Sequence, residues 1–182
     1  MSVRKIFITG GPGSGKTTLS RRVGSSLGVP VCDLDAMLWE SQVRGEPFEV
    51  AVSSSVSKIM EMDAWVAEGM YRGWADPLLR QAEFVLWMDV PWRKASYRIL
   101  SRHIKTTLAG NNRFPGLRKL HRFWRWSGRY YSGQNPTGLN LYGVAETKSE
   151  AVRYLAPYRD KLLDCQTQMD IECINQELGI HI

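Results

Sequence analysis

A chain of 182 residues, 43% hydrophobic and 23% charged, has the composition of a soluble globular protein and the length of one domain with a central sheet covered on both faces. No stretch approaches the eighteen or so uninterrupted apolar residues of a membrane span, and the first apolar run is too short for a signal peptide, so the expectation is a cytoplasmic protein with no membrane contact. The net charge of +6 is unevenly placed: eleven of the 24 lysines and arginines lie between Trp92 and Tyr131, a stretch without an acid, which leaves 13 basic against 18 acidic residues elsewhere. Such a segment suits an anionic partner, either a phosphorylated small molecule or a nucleic acid. Cys32, Cys165 and Cys173 have no C-x-x-C spacing, so neither a disulfide framework nor a zinc site is expected.

In chain order, Arg4 to Thr9 reads as a first strand and Thr17 to Leu27 as a helix with Leu19, Val23 and Leu27 on one face, stopped by Gly28. Between them Gly10-Gly-Pro-Gly-Ser-Gly-Lys-Thr17 fits G-x-x-x-x-G-K-[ST]. In that loop backbone N–H groups cradle nucleotide phosphates, the lysine reaches the β- and γ-phosphates and the hydroxyl binds Mg²⁺. Gly11, Gly13 and Gly15 are expected to permit positive φ and close approach to an anion. The nucleotide-binding set is therefore Gly11, Pro12, Gly13, Ser14, Gly15, Lys16, Thr17 and Thr18.

Pro30 to Asp35 reads as a second short strand ending in Asp33 and Asp35. Ligands of open α/β sheets lie beyond the carboxyl ends of the strands, so both acids should face the phosphate loop; alternatively, either one caps the next helix. Residues 36–63, with a helix from about Glu49 to Met62, have the length of a flap over an acceptor substrate. Trp65 to Arg72 reads as a third strand that meets an acid, Glu68, followed by glycine, a position from which a carboxylate holds Mg²⁺ through water. Ala82 to Pro91 supplies a strand buried on both faces, followed by a helix from Trp92 to about Ile104 with Arg98 and Arg102 on one side.

Leu117 to Tyr131 has helical spacing, with Arg118, Arg122, Arg125 and Arg129 on one stripe and Leu117, Leu120, Trp124 and Tyr131 roughly opposite. Three readings stay open for it: a solvated basic face, a lid whose arginines close over phosphates, or a nucleic-acid surface that pairs arginines with Phe123, Trp126 and Tyr130. Thr147-Lys-Ser-Glu150 is a capping box before a helix that ends near Pro157; Lys161 to Cys165 reads as a last strand and Met169 to Leu178 as a closing helix. His103, His121 and His181 show no metal-ligand spacing.

The loop at 10–17, Glu68-Gly-Met-Tyr-Arg72, and Phe84-Val-Leu-Trp-Met-Asp-Val-Pro91 followed by Arg98-x-x-x-Arg102 together resemble the successive motifs of the adenylate kinase-like P-loop kinases. The resemblance implies an α/β P-loop fold, a parallel five-stranded sheet flanked by helices, with a basic helical lid over 105–143 in a single domain spanning 1–182. It implies that Arg72 contacts acceptor phosphate, that Arg98 clamps the ATP base, and that Arg102 contacts the transferring phosphates. It also places the adenine beside Gln166 to Gln168. The pair Asp33 and Asp35 looks more like the shikimate kinase branch, where acids bind and activate a hydroxyl. No arginine precedes Arg44 where adenylate kinases bind AMP phosphate. The layout as a whole is similar to the bacterial DNA topology modulation proteins.

The reading that follows is an ATP- and Mg²⁺-dependent phosphotransferase. Lys16, Asp35, Arg98 and Arg102 are its catalytic candidates, Asp33, Asp35 and Arg72 its acceptor contacts, and Thr17 and Glu68 its metal side. The acceptor is a nucleotide, a nucleoside or a small hydroxyl compound. The rival is a nucleic-acid-associated P-loop ATPase or ATP-switched binding protein that uses residues 113–131.

Overall fold

The computed structural model describes residues 3–70, 73–112, 114–133, 147–166, 174–176 and 179. Arg72 and Arg113, the 134–146 stretch, and most of the expected adenine loop and closing helix lie outside the described residues. Five parallel strands, β1 (Lys5–Gly10), β2 (Val31–Asp33), β3 (Trp65–Glu68), β4 (Phe84–Met88) and β5 (Leu162–Cys165), form a sheet in the order β2-β3-β1-β4-β5. The chain leaves β1 toward β2 and β3 on one side and later adds β4 and β5 on the other. The crevice beyond the end of β1 is therefore the switch point at which such sheets bind ligands.

Alternation along β1 explains the two-faced core. Phe7 packs with Trp65, Ala67, Val85, Leu78, Leu79 and Ile59 on one face, whereas Ile6 and Ile8 pack with Val66, Leu86, Leu19 and Val23 on the other. α1 (Lys16–Leu27) covers the second face through Leu19 and Val23. The first is covered by α3 (Phe48–Met60), α4 (Asp76–Gln81) and Leu155 of α7 (Lys148–Leu155). A fully buried side chain such as Ile59 or Leu78 contributes about 1.5–3 kcal/mol.

The ends of several elements differ from the sequence reading. β2 stops at Asp33, and Leu34 opens a helix, α2 (Leu34–Val43), that the sequence reading lacks. Its buried residues Leu34, Leu38 and Ser41 have helical spacing, but Met37, Trp39 and Val43 place apolar residues around the rest of the cylinder and blur the stripe. β3 likewise ends at Glu68 rather than running to Arg72. The Thr147–Glu150 capping box forms as expected.

The basic segment folds as two helices, α5 (Trp92–Leu108) and α6 (Leu117–Ser132), joined by a turn through Gly110 and Gly116. Trp92 of α5 lies 5.5 Å from the Trp124 ring and 5.4 Å from that of Tyr131, and Trp124 Nε1 donates to Ser96 Oγ at 2.7 Å. α6 buries Ser127 and Tyr130 toward the domain, while Leu117, expected on that side, is 77% exposed at the helix start. None of the described helices is long and apolar enough to cross a membrane.

Candidate functional site

Parallel register brings the strand ends level. Asp33 pairs with Glu68, Glu68 with Ile8, and Gly10 with Met88, so the acids of β2 and β3 end beside the start of the phosphate loop. Gly15 turns the chain into α1 with φ 105°, and Lys16 is the first helical residue. Gly10 and Gly13 also have positive φ, as a loop closing on an anion requires. Gly11 does not. A Cβ there would lie 2.4 Å from Tyr130 Cε1 and 2.7 Å from the Tyr131 hydroxyl, so close packing rather than backbone conformation excludes a side chain.

The Lys16 side chain is buried, and its ammonium donates to the carbonyls of Gly10 at 2.9 Å and Gly11 at 3.3 Å. Burial depresses its pKa below the usual lysine value, against the pull of Glu68, Asp35 and Asp33 and with the push of Arg102. Asp33 and Glu68 end neighbouring strands in register, and Glu68 is bonded to Thr17, the residue after Lys16. Glu68 is 1% exposed, and burial raises its pKa despite Lys16 and the hydrogen bond from Thr17. Thr17 Oγ1 donates to Glu68 Oε1 at 2.5 Å. Glu68 Oε2 and Ser14 Oγ are buried without a hydrogen-bond partner among the described residues.

A hydroxyl and a carboxylate oxygen side by side, with a second carboxylate oxygen unpartnered, are hard oxygen donors of the kind Mg²⁺ takes while keeping waters and substrate phosphates as its other ligands. The unpartnered Ser14 hydroxyl lines the loop into which a phosphate fits. Thr17 and Glu68 thus suit a Mg²⁺–nucleotide, and the loop suits its phosphates.

The other expected residues are placed as follows. Asp33 is the N-cap of α2, its carboxylate accepting from Ala36 N at 3.0 Å, and Asp35 is exposed in the first turn of the same helix. Arg98 is half-buried and donates from Nη1 to the Ser14 carbonyl, so in this structure it holds the loop backbone. Arg102, one turn further along α5, is exposed, as is Thr18. Arg72 lies outside the described residues. Arg118, Arg122, Arg125 and Arg129 are all exposed, and at 100° per residue their stripe is centred opposite Ser127, on the side of α6 away from the phosphate loop.

Two features escape the sequence reading. Trp39 of α2 meets Phe114 of the α5–α6 turn edge-to-face at 5.2 Å, although both rings are exposed. The contact joins the helix that follows the edge strand β2 to the turn that follows α5. Tyr130 and Tyr131 touch the phosphate loop from α6, and Tyr131 donates to the Pro12 carbonyl at 3.0 Å. Neither pairing has a sequence signal, since the partners are 75 and 119 residues apart.

This strand order and loop are those of a known fold. The chain has an α/β P-loop fold, a five-stranded parallel sheet flanked by helices. It is similar to shikimate kinase from Acinetobacter baumannii in complex with shikimate, with a TM-score of 0.54 at 16% identity over 97% of this chain and 94% of that one. Shikimate kinase from Bacteroides thetaiotaomicron has a TM-score of 0.49 at 16% identity, covering 98% of this chain and 97% of its own. A gluconokinase from Sinorhizobium meliloti 1021 has a TM-score of 0.45 at 17% identity, covering 86% and 94%. No protein-family model and no curated protein matches the chain.

Proposed function

We propose that this protein is an ATP- and Mg²⁺-dependent phosphotransferase acting on a small hydroxyl compound. The observation that carries the reading is the convergence at one end of the sheet of the buried Lys16, of Thr17 bonded to Glu68, and of Asp33 in register with Glu68, with Asp35 two residues on. Phosphoryl transfer needs little covalent help from a protein; positioning and positive charge supply most of its acceleration.

On this reading residues Gly11 to Thr18 hold the triphosphate. Lys16 exchanges its bonds to the Gly10 and Gly11 carbonyls for bonds to the β- and γ-phosphates. Arg102, whose charge already reaches Lys16, adds to the neutralisation of the transferring group. Thr17 and Glu68 hold Mg²⁺, which when bound neutralises phosphate charge as it develops. Asp35 accepts the proton of the acceptor hydroxyl as its oxygen attacks the γ-phosphorus; the bond to the β-phosphate oxygen breaks, and ADP leaves. Arg98 serves the loop backbone rather than the base, and Arg72 is proposed for the acceptor side.

A non-phosphorylated acceptor fits better than a nucleoside monophosphate. The first arginine after the phosphate-loop helix and β2 is Arg44, and it is paired with Glu46 at 3.1 Å at the surface. The Asp33 and Asp35 pair, similar to that of the shikimate kinase branch, favours a hydroxyl. Residues 36–63 act as the acceptor flap, and the Trp39–Phe114 contact closes its mouth against water. ADP release above the water-only rate, measured against polyols, hydroxy acids, nucleosides and nucleoside monophosphates, tests the proposal. Turnover of a hydroxyl compound supports it; turnover of monophosphates alone overturns the acceptor assignment, and no ATP binding overturns the whole.

One observation favours a second reading, a P-loop protein that also binds nucleic acid in the manner the name DNA topology modulation implies. The arginine stripe of α6 faces solvent, away from the nucleotide, with Phe123 stacked on Trp126 at 5.8 Å. Retention on duplex or single strands that falls linearly in log salt is its signature.

A further inference from the structure

A bond to a peptide carbonyl of a phosphate loop helps to fix the orientation of that peptide unit, and with it the N–H groups that converge on the anion. The described residues show where the loop carbonyls go. Lys16 takes Gly10 and Gly11, Arg98 of α5 takes Ser14, and Tyr131 of α6 takes Pro12 at 3.0 Å. The packing on that side is tight. The Cβ positions of Gly11 and Gly13 would lie 2.4 Å from the Tyr130 ring and 2.7 Å from the Ala95 carbonyl.

Tyr130 is 2% exposed, and Tyr131 is wedged against Trp92, which packs so closely on α6 that a Cβ at Gly128 would lie 3.3 Å from it. The C-terminal half of α6 is therefore an anchored wall of the nucleotide site. Burial raises the pKa of both phenols, so Tyr131 stays a donor over the working pH range.

We propose that Tyr131 is a positioning residue for the nucleotide: by holding the Pro12 carbonyl outward, with the Tyr130 ring packed on Gly11, it presets the phosphate loop in its anion-receiving shape. This rests on the nucleotide-site reading and adds to it a role for α6 unconnected with its arginines. A preset loop loses less freedom on binding, so removal of the hydroxyl should weaken nucleotide binding while leaving the chemical step unchanged.

The test is a Mg²⁺–ADP titration by calorimetry on wild type, Tyr131→Phe and the control Tyr97→Phe, with thermal melts to confirm folding. Tyr131→Phe keeps the ring on Trp92 and loses one hydrogen bond. It should bind Mg²⁺–ADP about three- to tenfold more weakly and raise KM for ATP by the same factor, with kcat within about twofold. Tyr97 of α5 is 72% exposed and apart from the loop, so Tyr97→Phe should bind within about twofold of wild type. Without nucleotide, amide exchange over residues 11–15 should be faster in Tyr131→Phe only.

Unchanged ADP affinity and unchanged exchange in a folded Tyr131→Phe would overturn the positioning role and leave the nucleotide reading intact. Loss of kcat at constant KM would overturn it as well, since that marks a transition-state contact. A wild-type protein that binds neither ADP nor ATP overturns both, and is told apart from the first case by the wild-type titration alone.

Discussion

Lys16 and Glu68 are charged groups held where charge is costly, and each is shifted toward its neutral form by burial. For Lys16 the folded pKa is depressed, so its contribution to stability is present above the unfolded lysine value and is lost as pH falls through the lower folded one. Lys16→Ala should therefore melt no lower than wild type at pH 7 while losing at least about a hundredfold in phosphoryl transfer, a separation of stability from activity read by melting and ADP release together. Glu68 has the opposite sign. Its raised pKa favours the folded state at pH below the unfolded glutamate value, and that contribution disappears as pH rises through the folded value. Holding Mg²⁺ requires the ionised form, so Mg²⁺–ADP affinity should fall on acidification at a pH above the ordinary carboxylate range. In Glu68→Gln that acid limb should vanish along with most of the Mg²⁺ dependence; a limb that persists would assign it to another group. The residue types at 10–17 and at 68 are legible in the sequence because motif spacing and strand-end position name them. Asp33 is legible only as two alternatives, and the N-cap geometry realises one of them.

The elements that carry the site follow from local rules with a few exceptions. β1, β4, α1, α6 and α7 are readable from apolar runs, helical spacing and capping residues, because the sheet buries both faces and each helix shows one stripe. α2 is not readable, since apolar residues surround it and its first turn continues a strand pattern. For α6 the sequence predicts the helix and its stripe, yet which face meets the phosphate loop depends on Trp92, Trp124 and Tyr131 packing together. The stripe points away from that loop. Replacing Arg118, Arg122, Arg125 and Arg129 together with glutamine should therefore leave ADP affinity within about twofold, as for other surface substitutions. If nucleic acid binds this face, the same variant should abolish it and flatten the salt dependence. A large loss of ADP affinity would show that these arginines swing over the nucleotide.

At the scale of the whole molecule, the closure of the crevice proposed above rests on a contact between parts far apart in the chain. Trp39 and Phe114 join α2 to the α5–α6 turn. An edge-to-face pair is worth about 0.5–1.5 kcal/mol. Trp39→Ala should thus raise acceptor-independent ATP hydrolysis relative to transfer about two- to tenfold, with little change in KM for ATP, as water gains access to the γ-phosphate. An unchanged ratio would remove the contact from any role in closure. The sequence by itself determined the glycine-rich loop Gly10–Thr17, the parallel α/β class and the strand-end acids, because these depend on backbone chemistry and short-range periodicity. Only the tertiary structure decided that Arg98 and Tyr131 hold the loop carbonyls, that the α6 arginines face outward, and that Trp39 meets Phe114. Each of these rests on contacts between distant residues, fixed by how helices pack around a sheet switch point, and which residues meet over that range leaves no periodic trace along the chain.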